Sequence, residues 1–248
     1  MFQELLKIYK SSLVNEGAPA CLFAETLVFN EGWLLRSVLG EWLRSPRSPQ
    51  FGFLPFPAGV TVYSEGQLYT PFKARFRGDD RAETNTRVDG IVGDFSITDT
   101  KSGIELKPDF RYIAAFEAKL YAPIAAGTKN APWYDQVSRT AACLINSILR
   151  AEPIGSYAAH LAVLYAERKH GIDRSLYTKA HVERQITKRL QDFLTSGQPG
   201  EAVERFAGRW KDVFDNLRIH FHTWEQVVEE IGSPELSEFY RLCKKFNA

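Results

Sequence analysis

The chain has 248 residues, of which 44% are hydrophobic and 13% aromatic, so it can bury a large core and we expect a single domain over residues 1–248. Its 31 Lys and Arg nearly balance its 30 Asp and Glu, which excludes a globally basic nucleic-acid-binding protein and leaves only a local patch. The three cysteines form no CxxC pair, which argues against disulfides and structural zinc and favours a cytoplasmic protein. No apolar run approaches the ~18 residues of a membrane span, so no membrane partner is expected.

The first part of the chain predicts helix and then loop. A short amphipathic helix is expected over residues 2–12, and a longer one over residues 23–43, where apolar side chains such as Leu27 and Trp42 recur at helical spacing. Residues 45–57 are rich in Pro and Phe and are typical of a loop that packs against the domain.

Extended segments are expected next, over residues 60–63 and 67–77. Lys73, Arg75 and Arg77 alternate along one side of the second segment. Such a row of cations suits contacts with phosphates, and it equally suits the protection of a solvated edge strand, so alternation alone leaves both interpretations open.

Two strand-like runs between residues 87 and 119 carry acidic groups in an apolar context. In the second run, Glu117 and Lys119 share one face, because side chains alternate along a strand. In the first run, Asp89 shares a face with Ile91, whereas Asp94 has the opposite parity. Only one of the two aspartates can therefore join the glutamate and the lysine.

The turn between the runs predicts which aspartate that is. Residues 99–103 have turn chemistry and end in a glycine. If the hairpin is centred near Gly103, residue i faces about residue 206 − i, so Asp89 lies opposite Glu117. Two facing carboxylates destabilise a sheet unless a cation offsets them, which indicates a site for a divalent ion with oxygen ligands.

A literal Pro-Asp pair also occurs, at Pro108 and Asp109. The aspartate lies eight residues before Glu117. On one continuous strand this separation is about 26 Å, too long for both carboxylates to bind one ion.

The part after the hairpin predicts a helix and a buried strand. Pro132 precedes a helix expected over residues 133–150. Gln136 and Arg139 flank its apolar stripe, so they are candidates to reach a ligand at the sheet edge; the alternative is a solvent-facing helix surface. Residues 156–165 are apolar on both faces, which is typical of a central strand.

The C-terminal part predicts helices over residues 181–194, 201–214, 224–231 and 234–246, and a short strand over residues 217–222. His220 and His222 share a face of that strand, but no third metal ligand is visible, so two ordinary histidines are expected. His160 is expected to be a satisfied core residue.

The order of these groups resembles the PD-(D/E)XK nuclease superfamily. Asp89 comes first, and Glu117 and Lys119 follow it, separated from each other by one residue. A helix that bears Gln136 comes next. The family's proline before the aspartate is replaced by Val88, which costs little chemically because the proline is not a ligand. A surface ion pair on an edge strand is the alternative for the glutamate and the lysine.

The resemblance covers residues 23–165 and implies a restriction-endonuclease-like α/β fold. This fold is a three-layer core with a mixed central sheet flanked by helices, to which residues 166–248 add a helical C-terminal extension. The implied function is metal-dependent hydrolysis of DNA phosphodiester bonds; the alternative is a catalytically silent nucleic-acid-binding or assembly module that keeps the fold. The oligomeric state stays open, a homodimer included. Contacts with DNA are expected from Lys73, Arg75, Arg77 and Arg139.

The resemblance also assigns roles to the site residues. The cofactor would be Mg²⁺, with Mn²⁺ as a substitute. Its expected ligands are Asp89, Glu117, the backbone carbonyl of Ala118 and a glutamate of the first core helix, Glu31, with Glu25 as the second choice. Lys119 would orient the attacking water and stabilise charge on the phosphate, and Gln136 would complete the catalytic set.

Overall fold

A computed structural model describes residues 24–44, 54, 56–98, 102–120, 131–167, 178–195 and 200–247, together with residues 4 and 7. Apart from residues 4 and 7, the helix predicted over residues 2–12 lies outside the described residues, and so does most of the loop predicted over residues 45–57. None of the described helices is long and apolar enough to cross a membrane.

The described part of the chain forms both helices and strands. The helices are α1 (Glu31–Arg44), α2 (Gln136–Ala151), α3 (Lys179–Leu194), α4 (Glu201–Asn216), α5 (Trp224–Ile231) and α6 (Pro234–Asn247). The strands are β1 (Thr61–Leu68), β2 (Thr86–Gly93), β3 (Phe95–Ile97), β4 (Ile104–Leu106), β5 (Tyr112–Lys119), β6 (Ala158–Tyr165) and β7 (Leu217–Thr223).

Five strands form one mixed sheet in the order β1-β2-β5-β6-β7, and β3 pairs with β4 apart from it. β2 pairs antiparallel with both β1 and β5, whereas β6 pairs parallel with β5 and β7 pairs parallel with β6. Apolar side chains of α2, α3 and α4 fill the core on one face of the sheet, and those of α1, α5 and α6 fill the core on the other. The protein is therefore α/β, with helices on both faces of the sheet and a helix-rich C-terminal part.

The first core helix is shorter than predicted. α1 begins at Glu31 because Asn30 caps it: the Oδ1 atom of Asn30 accepts a hydrogen bond of 3.0 Å from the backbone N–H of Trp33. The preceding residues form only a short 3₁₀ turn. Leu27, predicted on the apolar stripe, is 63% exposed, so that prediction is wrong, whereas Trp42 is buried as expected.

The predicted register of the central pair is confirmed, but its turn is different. Gly90 faces Phe116 and Ile91 faces Ala115, as the 206 − i rule requires. Residues 99–103, however, lie between β3 and β4, which form a small hairpin of their own. β2 ends earlier, at Gly93, where φ is +153° and any Cβ would overlap the carbonyl of Tyr112, so only glycine fits.

Asp94 and Asp109, which the sequence excluded as partners of Glu117, both lie near the start of β5, whereas Glu117 lies near its end. β5 begins at Tyr112, so the assumed continuous strand from Asp109 is wrong, and that aspartate lies in an exposed turn before the strand. The carboxylate of Asp94 accepts hydrogen bonds from the backbone N–H groups of Arg111 (2.9 Å) and Tyr112 (3.1 Å). Asp94 therefore fixes the start of β5.

Candidate active site

Glu117 lies in the interior of the protein and is held by α2. Its side chain is 1% exposed, and β5 is a central strand between β2 and β6, so a surface pair on an edge strand is ruled out. The amide of Gln136 donates to its Oε2 atom (2.7 Å), and the hydroxyl of Thr140 donates to its Oε1 atom (2.6 Å). Thr140 was missed from the sequence, although it lies one helical turn after Gln136 and therefore on the same face of α2.

Asp89 lies where the regular alternation of β2 breaks. Val88 and Ile91 both pack in the core under α2, although they are three residues apart. In β1, the opposite residue Glu65 has φ of 60°, and regular pairing is interrupted between these two residues. The prediction that Asp89 and Ile91 share a face is therefore wrong. Asp89 instead lines a cleft beside α1, and its Oδ2 atom accepts a hydrogen bond of 2.7 Å from the backbone N–H of Ala118.

The first core helix contributes Glu31 rather than Glu25 to this region. The Oε2 atom of Glu31 accepts a hydrogen bond of 2.8 Å from the backbone N–H of Leu120, just after β5. Glu25 lies in the 3₁₀ turn before α1, where it is half-buried and makes no described contact with β5. The cap at Asn30 sets this difference, because it places Glu31 at the first position of α1.

Lys119 lies at the centre of the three carboxylates. Its Nζ atom is 4.0 Å from an oxygen of Glu31, 4.0 Å from an oxygen of Asp89 and 4.0 Å from an oxygen of Glu117. The lysine side chain is itself only 12% exposed. One ammonium therefore faces three carboxylates in a poorly solvated place, which leaves an excess of negative charge when all are ionised.

The excess charge is reflected in the pKa values of the carboxyl groups. Burial, reinforced by the charge of Asp89, raises the pKa of Glu117 to about 8 from an ordinary 4.5. Burial also raises the pKa of Asp89, although the attraction of Lys119 opposes this. Two neighbouring carboxyl groups that resist ionisation in this way would be stabilised as carboxylates by a further cation.

The donor set suits a hard divalent cation. Asp89, Glu117 and Glu31 offer carboxylate oxygens, which Mg²⁺ and Mn²⁺ prefer, and neither cysteine nor histidine belongs to the group. In the described residues, no group of three or more His, Cys, Asp and Glu side chains is drawn together closely enough to count as a preformed metal site. The three carboxylates are arranged around the lysine ammonium instead.

The C-terminal helices hold two parts of this site. The indole N–H of Trp224 in α5 donates to the backbone carbonyl of Lys119 (3.1 Å). Asp135, which caps α2 by accepting from the backbone N–H of Ser138, is also bonded to the Nε2 atom of His181 in α3 (2.9 Å). The helix that presents Gln136 to Glu117 is thus fixed from outside the region of resemblance.

The predicted phosphate-binding row does not form. The chain is irregular after β1 ends at Leu68, so the expected extended segment over residues 67–77 is wrong. Arg75 makes a buried ion pair with Asp79, with 2.8 Å between Nε and Oδ2. Lys73 and Arg77 are exposed, but they do not share a strand face.

Arg139 is also engaged elsewhere. Its guanidinium donates to the backbone carbonyl of Thr84 (2.6 Å), and its Nε atom lies 3.5 Å from Glu83. Glu83 in turn accepts from the fully buried Arg189 of α3 (2.6 Å). Of the pair predicted on α2, only Gln136 contacts the candidate site.

The histidines form a pair rather than a metal site. The Nδ1 atom of His160 lies 3.0 Å from the Nε2 atom of His220, and the ring centroids are 5.3 Å apart, so the rings meet edge to edge. Burial lowers the pKa of both to about 4, so both are neutral at pH 7. The buried Nε2 atom of His160 has no hydrogen-bond partner in the described part of the chain, so the expectation of a satisfied core residue is only half right.

Comparison with models of protein families, with curated proteins and with solved structures finds no match for this chain.

Proposed function

We propose that this chain is a metal-dependent nuclease of the PD-(D/E)XK type that hydrolyses phosphodiester bonds in DNA. The observation that carries the proposal is the position of Lys119, whose ammonium lies 4.0 Å from each of the carboxylates of Glu31, Asp89 and Glu117. These groups come from α1, β2 and β5, and a structural ion pair would require only one of the carboxylates.

The topology supports the same proposal. The elements run in the order α1, an antiparallel meander of β1, β2 and β5, then α2, and then β6 parallel to β5. This is the order expected for a restriction-endonuclease-like core. The small β3-β4 hairpin is an insertion within the meander.

The metal ligands in this proposal are Asp89, Glu117, Glu31 and the backbone carbonyl of Ala118. Mg²⁺ bound there would lower the pKa of a bound water and neutralise charge on the phosphate. Burial favours this role, because desolvated carboxyl groups with raised pKa values bind a divalent cation in exchange for protons.

The other side chains act on the water and on the carboxylates. Lys119 lies beside three carboxylates, so its role is to donate hydrogen bonds to the attacking water or to the phosphate and to stabilise the charge that develops there. Gln136 and Thr140 each donate to one oxygen of Glu117, which fixes the orientation of that carboxylate.

The test is cleavage of linear, circular and single-stranded DNA in Mg²⁺ by the wild type and three variants. Asp89→Asn and Lys119→Ala should each lower the rate by at least about 100-fold, because each removes a charge from the reacting centre. Asp109→Asn is the matched control, since it makes the same change at the exposed literal Pro-Asp and should leave the rate unchanged. Equal rates in all four proteins would exclude the proposal.

The alternative of a silent nucleic-acid-binding module makes a different prediction in the same experiment. Such a module would bind DNA without Mg²⁺-dependent cleavage, and the Asp89→Asn variant would bind as the wild type does. A nuclease requires both cleavage and its loss in that variant.

A further inference from the structure

A cleft of about 470 Å³ opens beside the three carboxylates, between α1 and the edge of the sheet. Its lining includes Glu31, Gly32, Arg36, Glu65 and Asp89. A phosphate that entered this cleft would meet several carboxylates, so its binding requires a cation aimed into the same space.

Arg36 is the arginine that lines this cleft. Its guanidinium packs over the ring of Trp33, 5.0 Å from the ring centroid, which holds the side chain in one position. Its Nη2 atom is 3.7 Å from the carboxylate of Glu65, and the two side chains are 30% and 47% exposed. Within the described residues, the guanidinium makes no hydrogen bond, so its donors are available to a ligand.

Gly32 keeps space for this guanidinium. A Cβ atom at Gly32, one turn before Arg36 on the same face of α1, would lie 3.1 Å from its Nη1 atom. The glycine has an ordinary helical backbone, so its conformational freedom is not needed there. The absence of a side chain instead lets the guanidinium lie against the first turn of the helix.

We propose that Arg36 binds a backbone phosphate of the DNA strand next to the phosphate that is hydrolysed. The inference rests on the proposed function for its substrate. A planar guanidinium presents two parallel N–H donors that match two phosphate oxygens, and the bond gains strength from both charges. The phosphate replaces Glu65, whose exposed and long ion pair contributes little and is readily exchanged.

The test is binding of a fluorescently labelled single-stranded DNA oligonucleotide, measured by anisotropy in Ca²⁺ over a series of salt concentrations. Arg36→Gln should weaken binding by about 10- to 100-fold, as expected for a charge-assisted hydrogen bond. It should also reduce the slope of log affinity against log salt by about 0.7, the value for one phosphate contact on a single strand. Arg209→Gln, the same change on an exposed residue of α4 across the sheet, should alter neither quantity.

Gly32→Ala separates phosphate binding from folding. The added methyl group displaces the flexible end of Arg36, whereas alanine favours the helix, so the melting temperature should stay the same or rise. Binding should nevertheless weaken by at least about 3-fold, in the direction of Arg36→Gln. Wild-type affinity in Arg36→Gln would overturn the inference, and so would wild-type affinity in Gly32→Ala.

Cleavage measured in parallel distinguishes the two proposals. If the wild type binds DNA through Arg36 but does not cleave it, the nuclease proposal fails and the binding role stands. If the wild type cleaves DNA and Arg36→Gln binds normally, the inference about Arg36 fails alone. If the wild type neither binds nor cleaves DNA, both fail.

Discussion

The raised pKa of Glu117 makes the stability of the protein depend on pH in a direction that a mutation can reverse. The folded group holds its proton up to about pH 8, whereas the unfolded glutamate releases it near 4.5. The stability that protonation supports is therefore complete below pH 4.5 and is lost as the pH rises through 8. Glu117→Gln removes this dependence, because the amide does not titrate and still accepts a hydrogen bond from Thr140.

The window from pH 6.5 to 8 isolates the effect. His160 and His220 have pKa values lowered to about 4 from 6.5, so the stability they contribute rises between those values and is complete above pH 6.5. Between pH 6.5 and the folded pKa of Glu117, about 8, lie about 1.5 pH units. At about 1.36 kcal/mol per unit, the free energy of unfolding should fall by about 2 kcal/mol over this interval. For a chain of this size that is a fall of about 4–8 °C in melting temperature.

Thermal unfolding followed by circular dichroism at pH 6.5 and pH 8, with a chelator present, measures this fall. The wild type should lose about 4–8 °C between the two values, and Glu117→Gln should lose much less. Glu105→Gln, at an exposed position of β4, is the matched control and should behave as the wild type does. Contributions from other buried groups, such as Glu83, cancel in the comparison. An equal fall in the wild type and in Glu117→Gln would refute the reasoning.

Three further predictions concern the metal, α2 and the buried ion pair. Mn²⁺ at about 100 times its dissociation constant should stabilise the wild type by about 2.7 kcal/mol, seen as a rise of about 5–10 °C in melting temperature, and Asp89→Asn should show no such rise. Thr140→Val keeps the shape of the side chain but removes its hydrogen bond to Glu117, so metal affinity measured by calorimetry should fall about 10- to 100-fold, and an unchanged affinity would contradict the role of α2. Arg189→Met leaves the carboxylate of Glu83 buried without its main partner, so urea unfolding should show a loss of about 3–5 kcal/mol, and a loss below about 1 kcal/mol would show that the pair does not stabilise the fold.

Sequence periodicity predicted the pair at the centre of the site because it depends only on local geometry. Alternation along β5 fixes Glu117 and Lys119 on one face whatever the rest of the chain does. The register of β2 against β5 was also predicted, with Gly90 opposite Phe116, but from a hairpin turn that the chain does not use for these strands. The β3-β4 hairpin is inserted between β2 and β5 and lies on both sides of that turn. The 206 − i register of β2 against β5 is therefore correct, although a longer connection joins these strands.

Side chains whose position depends on packing between distant segments could not be predicted in this way. Arg75 and Arg139 look like free cations in the sequence, and only the fold shows that Asp79 and Glu83 neutralise them. Arg36 carries no sequence signal at all, because its importance comes from the cleft that α1 forms with the sheet. A count of basic residues therefore identifies charge, but pairing in the fold decides which charges remain available.

The C-terminal helices are part of the candidate site although the family resemblance stops at residue 165. Trp224 binds the carbonyl of Lys119, and His181 binds the residue that caps α2. Helices α3 and α4 also supply the apolar side chains that cover α2, and β7 pairs with the otherwise free edge of β6. A fragment that ends at Tyr165 would expose that edge and remove the indole N–H that Trp224 donates to the carbonyl of Lys119. The chain beyond the core is thus expected to help keep the lysine and the carboxylates at their spacing.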